Sequence, residues 1–414
     1  MRINQLLLAS LMFATTAVHA QSPYKILHSF GIGNDGAGLW SSVVFDEQGD
    51  LYGTTTGGGL YQAGTVFELT PEQTSEWSET ILYSFYSSPD DGAGPFGGVI
   101  FGPDGKLYGT TSSGGIDYCT YGCGTIFELV RGLGGWTETV VYDFCARPDC
   151  VDGGTPYAGV IVDMVGNLYG TAHNVFELSP TPLGWIENVL HNFTGQGGDG
   201  DGPQAGPTMD PAERLYGTTE GGGGSPKCID HGCGTVYELQ PTAEGPGIWR
   251  ERILHRFGYT ANDGAGPGSG QLAMDREGSL YGTAGWGTYD AGIIYRLTPV
   301  PSSPDAVWGE TILYNLTGGV NGQYPVGVTL DSTGNLYGVT IAGGSPNCGC
   351  GVVFKLAPQP GGQWQYTLLH TFEGIDGAQP DANLTIGPDG NLYGTTATGG
   401  AGGAGIVFQI QIAP

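Results

Sequence analysis

Basic residues are the scarcest feature of this chain: 13 Lys and Arg stand against 40 Asp and Glu, a formal net charge of −27. A surface of that sign repels phosphate backbones and anionic lipid, so neither nucleic acid nor a membrane surface is an expected partner. Charge of either sign is sparse, because only 13% of residues are Asp, Glu, Lys or Arg while 39% are apolar, enough to build a core despite 78 glycines. Long apolar runs are missing after the first twenty residues, which excludes a later membrane-spanning helix of about 20 residues. Helical periodicity is absent as well. So are the sharper catalytic signatures: there is no GxSxG elbow, no HExxH and no phosphate loop ending in Gly-Lys. No cofactor and no metal site is therefore expected.

Residues 1–20 carry Arg2, an apolar stretch from Leu6 to Val18 and an Ala-rich end before Gln21. This pattern is that of a secretory signal peptide, so the mature chain is expected in the periplasm or the extracellular medium. The first cysteine is Cys119, too far on for a lipid anchor at a new N-terminus.

What fills the rest is repetition. Leu-Tyr-Gly recurs with its tyrosine at Tyr52, Tyr108, Tyr169, Tyr216, Tyr281, Tyr337 and Tyr393, and a period of this size decides the fold before any local reading does. Each copy has four strand-like segments. The first alternates and ends in a turn at Asp46, Asp163, Asp210, Asp275 or Asp331, or in Gly-Pro-Asp-Gly at 102–105 and 387–390. The second is LYGTT. A glycine-rich loop leads to the third, around Phe67, Phe127, Phe176, Tyr237, Tyr295, Phe354 and Phe408. The fourth starts at Trp77, Trp136, Trp185, Trp249, Trp308 or Trp364, usually as Trp-x-Glu. Short alternating strands bounded by Gly, Pro and Asp predict an all-β protein, and seven four-stranded units predict a seven-bladed β-propeller spanning 21–414 as one domain. A straight solenoid is the competing arrangement. The termini favour a ring: the last copy stops after its third strand, and Tyr24-Lys-Ile-Leu-His-Ser-Phe30 matches a fourth strand, so the N-terminal strand closes the last blade.

The units LYGTT, Gly-Gly and GTVF resemble those of the bacterial GloVer tandem-repeat proteins over essentially all of 24–411. The resemblance implies an exported protein of repetitive β structure and no particular activity. Members often end in a sorting or anchoring segment; none follows Ala413-Pro414 here, so surface anchoring is not expected.

All eight cysteines form close pairs, Cys119/Cys123, Cys145/Cys150, Cys228/Cys233 and Cys348/Cys350. In an exported chain these predict four local disulfides that staple loops. A zinc site would need two pairs to converge, and blades two, four and six are not neighbours. An Asp-Gly recurs between blades at Asp35, Asp91, Asp152, Asp199, Asp263 and Asp376, with Asn321 in the seventh place; a residue kept in every repeat is expected to shape a turn or cap backbone N–H groups rather than hold a cation. His28, His191, His255 and His370 take the fourth-strand position of Tyr83, Tyr142 and Tyr314 and are expected to pack. His173 and His231 remain in loops.

One variable position singles out a site. After the inter-blade proline come Phe96, Tyr157, Gln204, Gly268, Val326 and Asp381, with Trp40 in the corresponding place before blade one. These should rim the central channel. Trp40, Phe96 and Tyr157 on consecutive blades suit stacking on sugar rings, with inter-blade packing as the alternative use. Asp381 adjoins them around the closed ring, His173 follows on blade three, and Trp286 is a second exposed aromatic expected across the ring. The expected function is that of a monomeric exported binding or scaffold propeller whose partner is an extracellular carbohydrate or protein. The rival is a polysaccharide-cleaving enzyme, a glycoside hydrolase or lyase, drawing on Asp381, Asp201, Glu220 or His173.

Overall fold

A computed structural model describes residues 24–412 except 74–75, 117, 229–230, 244, 246, 261, 289 and 301–307. The signal-peptide segment 1–20 lies outside the described residues. Seven small antiparallel sheets stand around one axis. In blade one the strands Val44–Phe45, Leu51–Thr55, Thr65–Pro71 and Trp77–Ser84 follow one another outward from the channel, and the next five blades repeat that order. In blade five the innermost strand is divided into Ala265–Pro267 and Ala273–Met274, both paired with Leu280–Trp286. The seventh blade is built from Thr385–Ile386, Leu392–Thr396 and Ile406–Ile410, and its outer strand is Tyr24–Ser29, paired antiparallel with Ile406–Ile410. The protein is a seven-bladed β-propeller closed by its N-terminal strand.

The recurring tripeptide has a physical reason at each position. The glycine lies under the aromatic ring of the third strand: a Cβ on Gly53 would stand 2.5 Å from Phe67 Cζ, and Gly109, Gly170, Gly217, Gly282, Gly338 and Gly394 are covered in the same way. The tyrosine is buried, and its hydroxyl donates to the turn aspartate that closes the first hairpin, as from Tyr52 to Asp46 at 3.1 Å and from Tyr393 to Asp389 at 2.9 Å. That aspartate also accepts backbone N–H groups of its own turn; Asp46 Oδ1 takes those of Gln48 and Asp50, both at 2.9 Å. One carboxylate thus shapes the turn and fixes the strand beside it.

The apolar cores lie between blades. The tyrosine of one blade meets the fourth-strand tryptophan of the next, as in Tyr393 with Trp77, Tyr52 with Trp136 and Tyr108 with Trp185. The seam between blades seven and one has the same construction, with Leu27, Phe30, Tyr393 and Val407 packed on Leu39, Val43, Leu51 and Phe67. Threonines close the inner side. Thr110 Oγ1 donates to Ala158 O of the next blade at 2.8 Å, and Thr395 repeats that bond across the seam to Ser41 O at 2.8 Å. Ring closure therefore rests on an apolar seam, an outer strand and inner hydrogen bonds.

Candidate functional site at the channel mouth

Six of the seven inter-blade segments carry an aspartate that holds them before they reach the channel. Asp91 accepts the N–H groups of Tyr86 at 2.7 Å and Gly92 at 2.8 Å, Asp199 those of Thr194 and Gly200, and Asp152 that of Ala146. The proline that follows is seated on the glycine preceding the third strand of the blade before it. A Cβ on Gly64 would lie 2.6 Å from Pro95 Cδ, and Gly124/Pro156, Gly234/Pro267, Gly292/Pro325 and Gly351/Pro380 are pressed together likewise. A rigid ring seated on a bare glycine sets where the next residue emerges, and that residue is the variable one.

These residues surround a cavity of about 380 Å³ at the channel mouth, to which every blade contributes: Trp40, Phe96, Tyr157, Gln204, Ser269, Val326 and Asp381 in turn. In blade five the lining residue is Ser269 rather than the expected Gly268, because the divided inner strand carries the chain one residue further before it turns inward. Trp40 and Phe96 have ring centroids 6.2 Å apart, and Phe96 and Tyr157 meet edge to face at 5.5 Å. Although they touch, the rings are not sealed into a core, since Trp40 keeps 37% and Tyr157 52% of its surface exposed. The arc both packs between blades and presents apolar faces to the cavity.

Away from the arc the lining is polar except for Val326 and Ala382. Ser269 Oγ donates to Asp381 Oδ1 at 3.3 Å. Burial pushes the Asp381 carboxyl above the usual carboxylate range, a shift the Ser269 hydrogen bond partly offsets. Asn383 Nδ2 donates to Gln271 O at 3.0 Å, while Ser42 Oγ donates to Asn383 O at 2.8 Å. Blades one, five and seven are tied together at the channel wall by these bonds. Asn383 Oδ1 is buried with no hydrogen-bond partner. Glycines give Asn383 its room: a Cβ on Gly270 or Gly327 would stand 2.2 or 2.3 Å from Asn383 Oδ1. Asp381 is the single carboxylate on this lining among the described residues.

The remaining candidates are distributed unequally. Trp286 is 52% exposed and lines a second cavity of about 180 Å³ with Glu220 and Tyr324. That cavity shares Gln204, Ser269 and Val326 with the channel mouth, so Trp286 adjoins the main cavity from blade five, across the ring from the aromatic arc. Trp286 ends the strand Leu280–Trp286, two residues longer than its counterpart Leu51–Thr55. Glu220 accepts from Gln204 Nε2 at 2.6 Å. Asp201 is exposed and lines neither cavity. His173 also stands apart, in the left-handed region at φ 65°, with Nδ1 2.8 Å from Gly154 O.

All four disulfides are local: Cys119–Cys123, Cys145–Cys150, Cys228–Cys233 and Cys348–Cys350. The loop pairs of blades two, four and six stay apart, but Cys145–Cys150, in the segment leaving blade two, meets Cys119–Cys123 in that blade's loop. Cys119 Sγ and Cys145 Sγ are 3.8 Å apart. Each sulfur is already bonded within its own pair, leaving no thiolate to coordinate a metal.

The fourth-strand histidines pack edge to face on the phenylalanine two residues on, as His28 does on Phe30 and His255 on Phe257. Sequence reasoning missed their second role. Each places Nε2 beside the inter-blade aspartate: Asp35, Asp199, Asp263 and Asp376 for His28, His191, His255 and His370. For the first three, the Trp-x-Glu glutamate of the next blade approaches the same nitrogen.

The family model of the Gloeobacter/Verrucomicrobia repeat matches residues 11–229 and 229–414. The chain belongs to this repeat family. A search of curated proteins finds no match. Among solved structures, an oxidoreductase (glucose dehydrogenase) of Thermus thermophilus is 14% identical over 94% of this chain and 100% of its own, with a TM-score of 0.42. The PQQ-bound aldose sugar dehydrogenase of Streptomyces coelicolor is 13% identical over 95% of this chain and 98% of its own, with a TM-score of 0.46. Neither likeness bears on what this chain binds.

Proposed function

We propose that this repeat protein is an exported, noncatalytic binding propeller that holds a neutral carbohydrate in the cavity at its channel mouth. The observation that carries the reading is the division of one lining into an aromatic arc, Trp40, Phe96 and Tyr157, and a facing polar wall of Asp381, Ser269, Gln204 and Gln271. A sugar ring has an apolar face of C–H bonds and an equator of hydroxyls. Aromatic faces take the first, and amide, hydroxyl and carboxylate groups take the second. A cavity of about 380 Å³ lies in the range of small-ligand sites and accommodates a mono- or disaccharide unit. Export is supported by the four disulfides, which persist in oxidising compartments. No helix among the described residues is long and apolar enough to cross a membrane.

The rival reading, hydrolysis, draws on Asp381, whose burial favours the protonated form that a general acid needs. Glycoside hydrolysis needs a second carboxyl group roughly 5 to 9.5 Å away, and the lining holds no other. Binding is therefore the better supported function. The experiment is a glycan array probed with the purified chain, followed by product analysis on each hit. Retention of an intact neutral glycan is expected; release of shortened products would replace binding by catalysis.

A further inference from the structure

We propose that three of the seven blade interfaces are sites for a divalent transition-metal ion of the zinc type, each built from a histidine Nε2, the inter-blade aspartate and the Trp-x-Glu glutamate of the following blade. The sites are His28/Asp35/Glu79 between blades seven and one, His191/Asp199/Glu251 between three and four, and His255/Asp263/Glu310 between four and five. In each, one ligand atom from every residue lies within 4.8 Å of the other two.

Each aspartate is hydrogen-bonded to its histidine, and the spacing within each group also fits a shared ion. His28 Nε2 lies 3.2 Å from Asp35 Oδ2 and 3.7 Å from Glu79 Oε2. His191 Nε2 lies 3.4 Å from Asp199 Oδ1 and 3.7 Å from Glu251 Oε1. His255 Nε2 lies 3.0 Å from Asp263 Oδ1 and 3.6 Å from Glu310 Oε1. The histidine–glutamate separations are too long for a hydrogen bond. Zinc bonded to nitrogen and oxygen at about 2.0–2.1 Å gives a tetrahedral edge of about 3.3–3.4 Å, and the six separations straddle that value.

Glu251 Oε1 and Glu310 Oε1, the oxygens that face the histidines, are each buried with no hydrogen-bond partner, as is Glu79 Oε1, next to the Oε2 that faces His28. An unsatisfied buried acceptor costs about 1–3 kcal/mol, and a coordinated cation would remove that cost. The aspartates are already held in place, as zinc ligands usually are: Asp263 Oδ2 accepts the Tyr259 N–H at 3.0 Å, and Asp35 Oδ1 that of Gly36 at 2.7 Å. Imidazole in the ligand set favours zinc over calcium or magnesium. At the third site all three groups border an open cavity of about 640 Å³ shared with Arg256 and Tyr259, which provides an entry path and leaves a fourth position for water.

The other four interfaces are internal controls, because a tyrosine replaces at least one ligand in each. Tyr83 and Tyr142 stand for the histidine, and Tyr142 donates its hydroxyl to Asp152 at 2.8 Å. Tyr24 stands for the glutamate opposite His370 and stacks on its ring at 3.7 Å. Between blades five and six, Tyr314 and Tyr366 stack at 4.5 Å beside Asn321, so that none of the three ligand positions holds a carboxylate.

The test uses the tag-free chain, stripped with a chelator and dialysed, then titrated with zinc chloride calorimetrically and assayed for bound metal by mass spectrometry. Three ions per chain and a raised melting temperature are expected. His255→Gln, which keeps a hydrogen bond to Asp263 but loses the ligand nitrogen, should lower the count by one. Tyr83→His supplies the missing nitrogen beside Asp91 and Glu138 and should raise it by one. A stripped chain that still melts cooperatively and takes up no zinc overturns the proposal, and the groups are then carboxylate pairs sharing a proton. So does an uptake that neither variant changes, or one that calcium matches ion for ion.

Discussion

Deleting residues 24–30 removes the strand that closes the seventh blade, and its cost can be worked out residue by residue. Leu27 and Phe30 keep 7% and 0% of their surface exposed. Truncating such side chains costs about 2–5 kcal/mol for leucine and about 3–5 for phenylalanine, so the two together lose about 5 kcal/mol or more. Tyr24 also gives up its stack on His370 and its hydrogen bond to Asp376 O. A loss of that size rivals the whole stability of many domains, about 5–15 kcal/mol. The inner hydrogen bonds from Thr395 and Thr385 to blade one survive the deletion, so the ring should loosen at blade seven before it opens. The strand Ile406–Ile410 becomes an open edge, and self-association through it is expected. Calorimetric melting together with light scattering after gel filtration measures both effects, and adding the peptide 24–30 should partly restore the parent behaviour. An unchanged melting temperature and a monomeric deletion variant would refute the reasoning.

Two further outcomes follow from the interfaces. Glu138 is pushed up to about 8 by burial and by the neighbouring Asp91 and Asp143, so it binds a proton more tightly in the folded chain than in the unfolded one. Its contribution to stability is full below the unfolded pKa of about 4.3 and is lost as pH rises through about 8; Glu138→Gln should therefore flatten the melting profile and gain about 1–3 kcal/mol at pH 9, and an unaltered profile would show that the group is not protonated. Nonreducing peptide mapping should recover all four cysteine pairs as local links, and each reduced loop should cost about 2 kcal/mol, so free thiols or cross-blade peptides would contradict the assignment.

The blade was legible because every repeat restates it. Seven tyrosines bonded to turn aspartates and seven glycines under aromatic rings leave a periodic trace, and the split blade was readable from the match of 24–30 to a fourth strand. The rim was legible for the opposite reason, since Trp40, Phe96, Tyr157 and Asp381 depart from the pattern at a position the pattern defines. What escaped lay between repeats. His28 and Glu79 are 51 positions apart and belong to different blades, and only the register of neighbouring outer strands brings them together.

The central claim, that the channel mouth binds a neutral carbohydrate, is tested most directly by titrating a disaccharide hit from the glycan array against Trp40→Ala, Tyr157→Ala and Trp286→Ala with calorimetry. Stacking contributes about 0.5–1.5 kcal/mol per aromatic pair beyond burial, so Trp40→Ala and Tyr157→Ala should each weaken binding about 2- to 12-fold in folded protein, with a smaller effect from Trp286→Ala. Loss confined to Trp286→Ala, or affinity that none of the three changes, would contradict the account.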